Sequence, residues 1–180
     1  MKRRNNKGFT LIEVIVVAAI IAILAGILVP MIFSQIDESR TSRATGDTKS
    51  ILTSILAFKK DTGKWPISNA ANGCIEEIDI LVSSGNFPTG FPAGWNWSAA
   101  SEIPDHLVKT NACYPNPPWK GPYMAGIGAD PWGNNYVINA DSFTIAANSV
   151  WILSAGSNGV IDTKPTDTTL QGDDAGVRLK

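Results

Sequence analysis

KGFTLIEVIVVAAIIAILAGILVPMIF, residues 7–33, decides the architecture of this chain. Residues 14–33 are twenty in number and carry no charge. As a helix they rise roughly 30 Å, the thickness of a bilayer hydrocarbon core. The residues ahead of them, MKRRNNKG at 1–8, are short and basic. Such a flank stays cytoplasmic and sends the C-terminal part across the membrane. A cleavable secretory signal calls for a shorter apolar core followed by a small-residue cleavage site. The stretch that follows here, SQIDESRTSRA, supplies no convincing site of that kind.

Two residues inside the apolar segment complicate a plain anchor. Glu13 lies four residues in from Phe9, and a carboxylate in lipid costs a few kcal/mol unless paired or near the interface. Either it snorkels to the headgroups, or a cation meets it at similar depth. Cleavage between Gly8 and Phe9 would create such a cation as a new α-amino group, and a neighbouring copy could present it. Pro30 lacks a backbone donor and crowds the carbonyl of Gly26, which predicts a kink or local unwinding between Gly26 and Pro30. That is either a harmless kink or a hinge for repacking.

KGFTLIEVIVV at 7–17 resembles the class III signal of type IV pilins and type II secretion pseudopilins. The resemblance implies cleavage after Gly8 by a membrane prepilin peptidase and N-methylation of Phe9. It implies assembly from the inner membrane by a platform and its ATPase, with Glu13, Gly26 and Pro30 serving assembly.

From residue 34 to about 60 the pattern becomes amphipathic. Ile36, Ala44, Ile51, Ile55 and Phe58 fall near one face, with Leu52 and Leu56 beside them. The same helix therefore continues, and Gly63 is placed to end it as the C′ residue. Ile75, Ile78, Leu81 and Val82 predict a short second helix ending at Gly85. Residues 86–128 read as a long irregular segment rich in proline, glycine and tryptophan. Trp95, Trp97 and Trp119 there are either core fillers or a ligand platform. After residue 130 the period becomes two, and 135–139, 142–147 and 149–154 read as short strands of a small antiparallel sheet. Cys74 and Cys113, an even pair on an exported domain, are most simply a disulfide, with free buried thiols as the other reading.

WKGPYM (119–124), DPWGNNY (130–136) and WILSAGSNG (151–159) resemble the major pseudopilin of type II secretion systems. Within DPWGNNY, Asp130 can accept backbone hydrogen bonds and Gly133 tolerates positive φ, so that element reads as structural. The resemblance implies a calcium loop after the last strand, built from carboxylates and carbonyls. The matching positions are Leu153, Ser157, Asn158, Asp162, Asp173 and Asp174. Asn158 stands where aspartate is frequent in the family, and the spacer before Asp173 is longer. Read without the resemblance, the same loop is equally a solvated polar turn.

The fold expected is therefore α+β and pilin-like. It comprises a leader (1–8), a transmembrane and assembly helix (9–33), its amphipathic continuation (34–62) and a globular domain (63–180). The resemblance implies a homo-oligomeric filament with minor pseudopilins as further partners, and a surface pilus is the alternative. A membrane-anchored ligand-binding protein using 86–128 is the reading of a different class. Loss of 1–8 leaves 11 basic against 16 acidic residues, which argues against a nucleic-acid partner. One histidine, His106, and no GxSxG or HExxH pattern argue against an enzyme.

Overall fold

The computed structural model describes residues 8–110, 112–114 and 118–180. The expected leader thus lies outside the described residues except for Gly8. A single helix, α1, runs from Leu11 to Thr62. The chain divides into two compact units between Ser39 and Arg40, so α1 contributes to both. In the first unit every residue of α1 is exposed, the apolar run 14–33 included, with Phe9 just ahead of it 90% accessible.

In the second unit α1 is amphipathic, as its spacing predicts. Ala44, Ile51, Ile55 and Phe58 are buried, along with Thr48 and Ser54, while Leu56 stays exposed. The helix stops where the left-handed Gly63 (φ 72°) donates its N–H to the Lys59 carbonyl at 2.9 Å.

A two-stranded ribbon pairs β1 (Ser68–Asn69) with β2 (Ile75–Glu76). The main sheet contains β3 (Ile80–Val82), β4 (Ala100–Glu102), β5 (Tyr136–Asn139), β6 (Trp151–Ser154) and β7 (Ala175–Arg178), in the order β4-β3-β5-β6-β7. Alternation along the central strands feeds two cores. Leu81, Tyr136, Ile138 and Ile152 pack with α1. Ile80, Val137, Trp151 and Leu153 pack on the other face with Trp95 and Ile161. A strand covered on both sides reads as a continuous apolar run.

Four expectations change. Residues 75–85 form no helix: β2 and β3 lie there instead. Spacings of three and four over so short a run fit either element, and Ile80 and Leu81, adjacent in sequence, fill opposite cores, which only a strand allows. Gly85 is no helix cap; a Cβ there would stand 2.7 Å from the Asn134 carbonyl, so glycine permits a close backbone approach.

Residues 142–147 form no strand either. A short 3-10 turn, Ala140–Phe143, takes their place. Asn139 is responsible: its amide donates to the Ser149 carbonyl at 2.8 Å and to Ser142 Oγ at 2.9 Å, and its oxygen accepts the Trp151 N–H. The sheet is mixed, because β3 and β4 run parallel, with β4 and a one-turn α2 (Pro104–Leu107) arising inside the segment read as irregular. β7, drawn from the tail, completes it.

Cys74 and Cys113 are bonded. Cys74 sits in a left-handed turn (φ 68°). The loop so closed stabilises the fold by about 4 kcal/mol through the unfolded chain.

Candidate functional site

At the helix start, Thr10 and Glu13 form a capping box. The Glu13 carboxylate accepts the Thr10 N–H at 2.7 Å and the Thr10 hydroxyl at 2.8 Å, and Thr10 Oγ1 accepts the Glu13 N–H at 3.4 Å. Two orphan donors of the first turn are satisfied in this way. The T-x-x-E spacing was present in the sequence, and it offers Glu13 a partner within its own chain. The helix continues through Gly26 and Pro30 without a break. A Cβ on Gly26 would meet nothing within 4 Å, so the helix face there is open.

The acidic tail is the second cluster. Asp173 Oδ2 accepts the N–H and hydroxyl of Ser157, both at 2.7 Å, and the Asn158 N–H at 3.0 Å. Asp174 Oδ2 accepts the N–H groups of Asp162 and Thr163 at 3.0 and 2.7 Å. Asn158 donates to Asp162 Oδ2 at 3.3 Å, while its own amide oxygen is taken by the Val160 N–H. The remaining oxygens, Asp173 Oδ1 and Asp174 Oδ1, are buried without a hydrogen-bond partner.

Glycines make the room: a Cβ on Gly172 would fall 2.0 Å from Asp162 Oδ2, and one on Gly156 would strike Asp173. Burial raises the Asp174 carboxyl to about 6, against the two N–H bonds that pull it down. Five of the six expected ligand residues, Ser157, Asn158, Asp162, Asp173 and Asp174, therefore come together. Leu153 stands in β6, paired in register with Val137 and Gly176. Among the described residues no group of three or more His, Cys, Asp or Glu side chains forms a ready ligand set. Asp167 serves its own turn, accepting the Lys164 N–H at 2.8 Å.

Asp130 has a structural role. It accepts the N–H groups of Trp132 and Asn134 at 2.9 and 2.7 Å and the Ser154 hydroxyl at 2.6 Å. His106 is buried, with Nε2 3.0 Å from Ser101 Oγ and Nδ1 unpartnered. Burial lowers its imidazole to about 4, which makes it a weak base at neutral pH. Trp95 and Trp119 are buried and Trp97 is half exposed, so the tryptophans mostly fill the core.

Residues 3–29 match the prokaryotic N-terminal methylation motif, and residues 100–172 match type II secretion system (T2SS) protein G. The chain is 32% identical to the type II secretion system core protein G of Pseudomonas aeruginosa over 136 residues, 76% of this chain and 75% of that one. Against the protein of the same name from Escherichia coli the identity is 26% over 160 residues, covering 89% and 88%. Fimbrial protein Q of Moraxella bovis is 40% identical over 81 residues, 44% of this chain and 51% of that one. No solved structure matches the chain.

Proposed function

Because this chain belongs to the type II secretion system core protein G family, we propose that it works as the major pseudopilin, the structural subunit of a helical filament raised from the inner membrane. One observation carries the reading: a twenty-residue charge-free helical stretch, wholly exposed, with one acid at its start. Such a surface needs lipid or copies of itself. Before assembly it anchors the protein in the inner membrane, basic flank inward. In the filament, helices of neighbouring subunits replace the lipid.

A prepilin peptidase cuts between Gly8 and Phe9, and the new amino group of Phe9 is methylated. An assembly platform and its ATPase draw the helix out, and minor pseudopilins complete the filament. Glu13 exchanges its Thr10 contact for the amino terminus of a neighbour, which makes its burial conditional on assembly. The role is mechanical rather than enzymatic, and the Ser101–His106 contact is structural. The fimbrial relative supports a surface pilus as the second reading, over less than half of the chain.

Calcium belongs to this proposal. The two partnerless carboxylate oxygens of Asp173 and Asp174 suit a hard cation, and Asp162 and the carbonyls of Leu153 and Ser157 are the further candidate donors. The ion would neutralise a buried carboxylate and tie the tail to the sheet.

Glu13→Ala tests the filament reading. In cells overproducing each form, the variant is expected to reach the inner membrane at wild-type levels, yet to yield no filaments by electron microscopy and no secretion. Normal filaments from the variant would remove the electrostatic pairing.

A further inference from the structure

Residues 80–101 contain no charged side chain and carry Phe87, Phe91, Trp95 and Trp97. Their rings cluster around Phe91. Phe91 lies 5.4 Å from Phe87, 5.3 Å from Trp95 and 5.1 Å from Trp97, stacked on the last. Phe87 and Trp97 are 45% and 49% exposed, whereas Trp95 is buried. Trp95 thus roots the cluster, while Phe87 and Trp97 open it to solvent.

The root reaches the acidic tail. Trp95 Nε1 donates to the Thr163 carbonyl at 2.8 Å, and the Thr163 N–H donates to Asp174 at 2.7 Å. The same residue is therefore gripped on one side by the indole and on the other by the carboxylate. Thr163 is fully buried, so neither bond has water as an easy substitute. Two backbone bonds run in parallel: Ile161 N–H to the Gly90 carbonyl at 3.0 Å and Thr89 N–H to the Gly159 carbonyl at 2.9 Å. Both tail partners lie between Asn158 and Asp162, in the turn that Asp173 and Asp174 fasten.

We infer that the aromatic loop is a cation-dependent surface: occupancy of the Asp173–Asp174 cluster by a divalent cation fixes Thr163, and through it Trp95, the half-buried Phe91 and the exposed Phe87 and Trp97. The inference rests on the calcium reading above and adds a second element to it. Trp95 acts here as a positioning residue that ligates nothing. Linkage is reciprocal, so whatever the ion does for the loop, the loop must return to the ion. The aromatic loop would then change its presentation with the calcium level around it.

Hydrogen exchange on the full chain in detergent micelles, with calcium or with chelator, provides the test. Calcium should slow amide exchange in both 156–174 and 86–99, the latter on the order of tenfold. Trp95→Phe, which keeps the ring but loses the donor, should abolish the gain at 86–99 and weaken calcium binding by the same factor. Trp97→Phe, at the exposed end, should leave calcium affinity unchanged. Protection confined to 156–174, or full affinity in Trp95→Phe, overturns the coupling while leaving the cation site standing. Absence of calcium binding by titration calorimetry in the wild type overturns both.

Discussion

Burial makes His106 a poor proton acceptor, and folding is therefore tied to acidity. Its folded value near 4 lies below the ordinary 6.5, so the unfolded chain takes up the proton first. Its contribution is complete above about 6.5 and is lost as pH falls towards 4. A displacement of this size amounts to a loss on the order of 3 kcal/mol. Asp174 acts in the opposite sense without a cation: its folded value near 6 exceeds the ordinary 3.8, so stability falls as pH rises across that window. Between pH 6.5 and 4 the two contributions are of similar size and opposite sign, so urea midpoints measured in chelator should change little in the wild type. In His106→Gln only the Asp174 contribution remains, and the midpoint should rise as pH falls across that window. Parallel curves for the two proteins would exonerate the imidazole.

Among elements, the segment between β5 and β6 departs furthest from its local pattern. Residues 142–147 alternate like a strand, yet Asn139, fully buried, captures Ser142, Ser149 and Trp151 and turns the chain back. Asn139→Ala leaves the half-buried Ser149 carbonyl and the buried Trp151 N–H without this partner, and should destabilise the globular unit by about 3 kcal/mol, read as a shift in the urea midpoint at unchanged slope. β5 and β6 themselves, the continuation of α1 and its stop at Gly63 were legible, because periodicity and capping are local. β3 was not, since Ile75, Ile78, Leu81 and Val82 satisfy a helical spacing equally well. β7 was hidden among the glycines and acids of the tail, and it becomes a strand only because β6 offers an edge.

At the scale of the whole molecule, two needs are left open by the single chain: a cover for the exposed apolar helix and a counter-charge for the acidic tail. Assembly meets the first, and a cation suits the second. If calcium binds the folded chain alone, a concentration of one hundred times Kd should add about 2.7 kcal/mol to stability, seen as a rise in unfolding temperature that chelator reverses and Asp174→Asn reduces. An unchanged unfolding temperature across millimolar calcium would remove the ion from the proposal. The sequence by itself determined the membrane-length helix, the acid within it, the amphipathic face and the family, because each depends on residues close together along the chain. Only the tertiary structure decided the mixed sheet, the Asn139 turn and the path from Asp174 through Thr163 to Trp95. Those depend on which distant backbone groups are buried together, and no local period records a hydrogen bond that spans 68 residues.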